Sequence, residues 1–403
     1  MNRREFMKNA ALSLCALSIP VVGRKAFGAD SDPIVLEKKE IAGIPKFEIP
    51  KTQLAIPQTS YCKRVVFVRY GGGVRRQETI SPKTESPFFY HGLLKEGTLF
   101  SNVWIDRESI TGHAQGSLYT MTGRFDNYKG QPFDVEYTPL YPTFAEYVHK
   151  GLKTTSTDCI MINNSDNMST EFFGFSEHKD YGLAHAPILL SEWALMVRRL
   201  ERNLQKATGS NRNKLLQKQK ELLQQLYRAE IPSDPKTTEL IDRLDKEHGE
   251  RPPLGDELVA ELAVRALREL KPRYLQVHLQ DSDYVHWGPG QLYRRGVRRM
   301  DTALRRIWET IQSNNELRDE TALVVVPDHG RNMHGSRRIP YQHHDTEDPG
   351  SHEIFAFFAG PGIPRGVRID QSLPQIDATA TMGALLGVAT PYVHGKVMEG
   401  VIS

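Results

Sequence analysis

The sequence predicts an α/β chain in which a mostly parallel sheet lies between two layers of helices, a three-layer αβα sandwich. Three observations predict it. Short apolar runs of strand length alternate with longer stretches of helical period, the pattern of a sheet covered on both faces. Polar clusters rich in Asp and His fall just after those runs, where open α/β sheets collect their functional groups. The chain has 403 residues, 39% of them hydrophobic and 25% charged, enough to bury a large core.

Taken in order, residues 2–8, Asn-Arg-Arg-Glu-Phe-Met-Lys, precede an apolar run from Ala10 to Val22 and the small residues Ala26 to Ala29. This resembles a twin-arginine export signal over residues 1–29 and predicts a periplasmic or secreted protein that engages the twin-arginine export machinery. The apolar run is interrupted by Pro20 and is too short to cross a hydrocarbon core roughly 30 Å thick. No later segment is long and apolar enough to span. Residues 30–60 form a Pro- and Lys-rich lead-in, and residues 61–403 form the folded domain.

Within that domain, Val65-Val66-Phe67-Val68 reads as a buried strand running into the glycine turn Gly71-Gly72-Gly73. Further strands are expected at 159–162, 274–277, 322–326 and 354–358, with helices at 143–151 and 290–312. Residues 188–270 are rich in Leu, Arg, Lys, Glu and Gln at helical spacing and are broken by Pro232, Pro235 and Pro252-Pro253, which predicts a helical insertion. Its charge runs read as solvated helix faces.

The formal net charge is +3, but the first 28 residues carry +4, so the remainder stands at −1. A near-neutral body excludes a nucleic acid polymer or an anionic membrane as the main partner. Beyond the signal, Cys62 and Cys159 are left either to pair in an oxidising compartment or to remain two buried thiols.

Three clusters carry metal-ligand chemistry. Asp281-Ser282-Asp283-Tyr284-Val285-His286 follows the strand at 274–277, and carboxylate with imidazole on one loop suits zinc or manganese. Asp328-His329-Gly330 follows the strand at 322–326, and Gly330 lets the backbone turn sharply enough for both side chains to reach one ion. His343-His344-Asp345 is the third, with His334 and His352 nearby. A lone histidine is more often structural than a ligand, but three such clusters beside buried strands predict a metal site. A fourth segment, Ser109-Ile110-Thr111-Gly112-His113, opens a helix-like stretch ending at Gly123. A hydroxyl at a helix N-terminus beside a metal is a nucleophile candidate, whereas the plain reading of Ser109 or Thr111 is an N-cap.

In this order the glycine turn, Ser-x-Thr-Gly-His, Asp-x-Asp-x-x-His, Asp-His-Gly and a late His before Gly360-Pro361-Gly362 resemble the alkaline phosphatase superfamily. The likeness is to its nucleotide pyrophosphatase/phosphodiesterase and sulfatase-like branches, over roughly residues 64–395. The resemblance implies two divalent ions, zinc first, with manganese, magnesium or calcium as alternatives. Asp328 and His329 would hold one ion together with the nucleophile. The other would take His286, Asp281 or Asp283, and a late histidine, which counting back from Gly360 places at His343 or His344 rather than His352 or His394. The nucleophile position falls on Ser109, with Thr111 in reserve. His113 and Glu78 are implied as substrate contacts.

The chain departs from that pattern where the first strand ends. The superfamily has an Asp there, and this chain has Gly71-Gly72-Gly73, so Glu78 is the candidate to replace the missing carboxylate. The Asn that contacts a substrate oxygen is replaced by Gly112. The expectation is a hydrolase of phosphate or sulfate esters acting on a small-molecule or glycan ester. The alternative is a degenerate binding protein on the same fold that holds an anionic or carbohydrate ligand.

Overall fold

The computed structural model describes residues 43–49, 60–126, 139–163, 174–225, 233–249, 253–335 and 341–402. The expected export signal over residues 1–29 and most of the expected lead-in lie outside the described residues.

Nine strands make one sheet: β1 (Arg64–Tyr70), β2 (Gly97–Trp104), β3 (Cys159–Asn163), β4 (Ile188–Ser191), β5 (Tyr274–Leu279), β6 (Thr321–Pro327), β7 (Glu353–Ala359), β8 (Val367–Ile369) and β9 (Leu373–Pro374). Their order is β4-β3-β5-β1-β6-β7-β2-β8, with β9 also on β2. β1 sits at the centre and pairs in parallel with both β5 and β6. Only β7 runs against its neighbours β6 and β2. The long connection from β6 brings the chain back into β7 at the end where β6 stops. The expected sheet is thus mostly parallel, and the reversed strand adds loops to one end of it.

The strands form because β-branched and aromatic residues dominate them, and their period of two sorts those residues onto two faces. On one face Val66, Val68, Leu275, Val277, Leu323 and Val325 pack with helices 235–248, 256–265 and 290–312. On the other, Val65, Phe67, Val324 and Val326 pack with helices 144–151 and 377–386. Each fully buried Leu, Val or Phe contributes roughly 1.5–3 kcal/mol of apolar transfer. Helix 144–151 starts where a capping box forms: Thr143 accepts from the Glu146 amide and the Glu146 carboxylate accepts from the Thr143 amide. The helix at 290–312 stands at the expected bounds.

Two expectations are revised. The helix-rich stretch from about 188 opens on a strand, since Ile188–Ser191 is the edge strand β4, paired with β3. Its later helices 235–248 and 256–265 bury Leu240, Leu244, Leu258 and Leu262 in the main core, so they are a layer of the sandwich. β2 has no counterpart among the expected strands, because Gly97, Ser101 and Asn102 interrupt its apolar pattern. Of the two states left open for the cysteines, the structure has two free buried thiols. Burial pushes each up to about 12. Among the described residues, no helix is long and apolar enough to cross a membrane.

Candidate metal centre at the carboxyl end of the sheet

Because β1, β2, β5 and β6 all point one way and β7 starts at that same end, the loops after β1, β2 and β5 and the β6–β7 connection converge there. Asp328, directly after β6, is fully buried at the convergence. Its carboxylate accepts from the backbone amides of Gly72 (2.9 Å), Gly73 (3.0 Å) and His329 (2.8 Å). The Nδ1 atom of His113, the first residue of helix 113–122, lies 2.6 Å from Asp328 Oδ2. Burial alone would raise this carboxyl, but the rings of His329 and His113 and the Gly72 amide bring it down to about 2.

Two groups of donors form around this anchor. His113, Asp328 and His329 each offer an atom within 4.8 Å of the others, and so do Asp283, His329 and His344. His286 joins the second group through Asp283 Oδ1 (3.2 Å), with its ring centroid 4.9 Å from that of His344. Burial works against the Asp283 charge, but His113 and His286 hold its carboxyl well below the usual range. Burial, with His329 and His286 adding to it, keeps His344 well below its ordinary value. Its ring therefore stays neutral, the form a metal takes.

The chemistry of this donor set fits a divalent ion. His329 Nδ1 sits 2.7 Å from the Gly330 carbonyl and donates to it, which leaves the lone pair on Nε2. That Nε2 atom is buried with no hydrogen-bond partner, and so is His113 Nε2. Orphaned imidazole nitrogens in a buried site beside two carboxylates are what a bound cation would satisfy.

The structure separates the expected residues. It gathers Asp283, His286, Asp328, His329 and His344, and it adds His113, which sequence reasoning had placed against substrate. Asp281 is turned away: its carboxylate takes Arg299 Nη1 at 2.9 Å and the Asp256 amide at 3.2 Å. Glu78 does not reach the cluster. It is buried against Arg75, whose Nε donates to it at 2.8 Å, so it does not stand in for the missing carboxylate. His343 packs on His286 and Trp287 at the edge of the second group, and burial with the His286 charge pushes it down to about 4. Thr111 is fully buried and its hydroxyl donates to the His344 carbonyl (3.1 Å), whereas Ser109 keeps 8% exposure in the same loop. His352 is a structural residue held by the carbonyls of Ile105 and Thr346.

Sequence reasoning missed three residues here. Arg69 in β1 and His278 in β5 are register partners in fully buried strands, and Arg69 Nε donates to His278 Nδ1 at 2.7 Å. A charged and an ionisable residue inside otherwise apolar strands were the available signal. Arg331 is fully buried and donates to the carbonyls of Gly72, Gly73, Ser282 and Gln342, which ties the glycine turn to two other loops. The glycines themselves are a steric requirement. A Cβ on Gly71 would lie 2.3 Å from the His278 ring, and one on Gly72, where φ is +77°, would lie 2.1 Å from Asp283 Cβ.

No protein-family profile matches the chain, and no curated protein matches it. Solved structures do. A protein in the alkaline phosphatase superfamily from Vibrio parahaemolyticus superimposes with a TM-score of 0.53 at 16% identity, over 98% of this chain and 78% of that one. The chain has the fold of the alkaline phosphatase superfamily. A mutant of the alkaline phosphatase PafA matches with a TM-score of 0.54 at 11% identity, over 87% of this chain and all (100%) of that one. The lipoteichoic acid synthase LtaP from Listeria monocytogenes matches with a TM-score of 0.51 at 13% identity, over 88% and 79%. Ps i-CgsB, in complex with k-i-k-neocarrahexaose, matches with a TM-score of 0.52 at 11% identity, over 83% and 75%. At this identity the likeness establishes the fold.

Proposed function

We propose that this chain is an exported, metal-dependent hydrolase of phosphate or sulfate esters. The observation that carries the reading is the pair of overlapping donor groups, His113, Asp328 and His329 with Asp283, His329 and His344, beside the loop of Ser109 and Thr111, which Thr111 ties to the His344 carbonyl. His113, Asp328 and His329 would hold one ion; Asp283 and His344, with His286 beside them, would hold the other. Bound divalent ions, zinc first, supply positive charge to the ester oxygens and lower the pKa of a nearby hydroxyl.

Ser109 is the nucleophile in this reading. Thr111 has no exposed surface and its hydroxyl is committed to the His344 carbonyl, whereas Ser109 keeps 8% exposure. The Ser109 oxygen bonds to phosphorus or sulfur as the leaving-group oxygen departs, and water then releases the serine ester. Gly112 caps helix 113–122 without a side chain, so the first amides of that helix face the charge that develops beside Ser109. A small-molecule or glycan ester is the proposed substrate; a matched structure holds an oligosaccharide. Export rests on the twin-arginine pattern of residues 2–29.

The test is metal content by elemental analysis together with hydrolysis of chromogenic phosphodiester, phosphomonoester and sulfate esters, for wild type and Asp328→Ala. Bound metal and turnover in wild type, with turnover lost and metal content lowered in the variant, support the hydrolase. Wild type with no turnover on any ester class sinks it and leaves the binding-protein alternative, which the absence of a carboxylate at Gly71 favours.

A further inference from the structure

The ion anchored by Asp328 needs a third protein donor, and the chain cannot draw one from the end of its first strand. Gly71 has no side chain, and the space a side chain would enter is filled: its Cβ would meet His278 Cε1 and Nε2 at 2.3 Å. His278 itself is not the substitute. Arg69 is a donor only, so the Arg69 Nε contact at 2.7 Å makes His278 Nδ1 the acceptor. A neutral His278 ring must then carry its proton on Nε2, the nitrogen that faces Gly71, where it has no lone pair to give. Glu78 is engaged by Arg75 on its other side of the turn.

What approaches the anchor is His113. It begins helix 113–122, its Nδ1 lies 2.6 Å from Asp328 Oδ2 and 2.8 Å from the Gly72 amide, its Nε2 is buried with no hydrogen-bond partner, and it offers a ring nitrogen within 4.8 Å of donor atoms of Asp328 and His329. We infer that His113 is the third protein ligand of the Asp328–His329 ion in place of a first-strand carboxylate, and that the resulting nitrogen-rich set selects a zinc-class ion over magnesium or calcium. The proposal rests on the metal-dependent reading above and adds to it the identity of a ligand and the class of ion.

The chemistry follows from the donors. A first-strand Asp would give this ion two carboxylates and one imidazole; with His113 it has one carboxylate and two imidazoles. Magnesium and calcium require mostly oxygen donors, whereas imidazole suits zinc, cobalt, nickel and copper. The other ion's set, Asp283 and His344 with His286 beside them, has the same ratio of one carboxylate to two imidazoles.

The test strips the full chain with a chelator and titrates it calorimetrically with Zn²⁺, Co²⁺, Mg²⁺ and Ca²⁺. Pulsed electron paramagnetic resonance of the Cu²⁺ form counts coordinated imidazoles. Wild type should bind Zn²⁺ at least about 100-fold more tightly than Mg²⁺ or Ca²⁺. His113→Ala and the bulkier His113→Gln should each lose one coordinated imidazole and at least about tenfold in Zn²⁺ affinity, with circular dichroism unchanged. His278→Gln should keep the imidazole count. The proposal is overturned if both His113 variants keep the wild-type count and affinity, or if Mg²⁺ or Ca²⁺ binds as tightly as Zn²⁺. Turnover is read separately: wild type that binds Zn²⁺ through His113 but cleaves no ester keeps this inference and loses the hydrolase. Wild type that cleaves esters while His113→Ala keeps its ligand count does the reverse, and absence of all metal binding removes both.

Discussion

Gly72 lies under two constraints at once. Its φ of +77° is a region L side chains rarely adopt, and a Cβ there would lie 2.1 Å from Asp283 Cβ, a donor of the second group. Gly72→Ala should therefore destabilise the protein by more than about 1 kcal/mol in urea titration and weaken metal binding in the same sample. An alanine variant with wild-type midpoint and metal content would show that the turn does not set the position of Asp283. Asp377 is a second residue with a measurable consequence. Burial raises its carboxyl from 3.8 to about 7, against the Lys396 amide, which donates to it at 2.7 Å. Because the folded state holds the proton more tightly than the unfolded chain, stability falls as pH rises from about 4 to about 7 and is flat above. The full change is about 4 kcal/mol. In Asp377→Asn that decline should vanish, and a wild-type Tm that does not fall over this range relative to the variant would refute the assignment. At this scale the sequence was informative where residues clustered. Asp328, His329, Asp283, His286 and His344 stand in local motifs beside strand ends, so spacing pointed to their clusters, without separating Asp283 from Asp281 or His344 from His343. His113 as an Asp328 partner, and Arg69 with His278, depend on which strands become neighbours, and local spacing carries no trace of that.

Among the elements, burial distinguishes helices that the sequence pattern could not. Helices 209–225 and 256–265 both read as polar-rich segments of one insertion, yet Leu258 is fully buried in the main core and Leu216 is 43% exposed. Leu258→Ala should cost about 2–5 kcal/mol through lost transfer energy and the cavity left behind. Leu216→Ala should fall within about 0.5 kcal/mol of wild type. Equal effects in denaturant titration would mean that the two helices pack alike. Strands β1, β3, β5, β6 and β7 were legible because each is a continuous buried apolar run, as strands covered on both faces must be. β2 and β4 were not. β4 has four residues, and β2 mixes Ser101 and Asn102 into its pattern at the irregularity between Phe100 and Val103 in its pairing with β7. The reversed direction of β7 was also hidden, since periodicity reports which face a residue takes and not which way its strand runs.

For the whole molecule, the centre couples the parts that a layer-by-layer view keeps apart. Asp328 directly follows β6, His113 begins the helix after β2, Asp283 lies in the loop after β5 and His344 in the connection into β7. Arg331 ties the glycine turn of β1 to two of these loops through backbone carbonyls alone. These groups lie far apart in the unfolded chain, so an ion that binds them together binds the folded state and scarcely the unfolded one. Such linkage stabilises the fold by about 2.7 kcal/mol when free metal stands at 100 times its Kd. Adding Zn²⁺ to chelator-treated protein should therefore raise Tm by a few degrees, by an amount that grows with the logarithm of free metal. Asp328→Ala should lose the first ion's share of that rise, because the carboxylate that anchors the first group is gone and His113 loses its partner at 2.6 Å. Leu258→Ala should keep the full metal-dependent increment from a lower starting Tm, since it weakens the core without touching a donor. If instead Zn²⁺ shifts Asp328→Ala as much as wild type, the ion binds elsewhere and these loops converge for another reason.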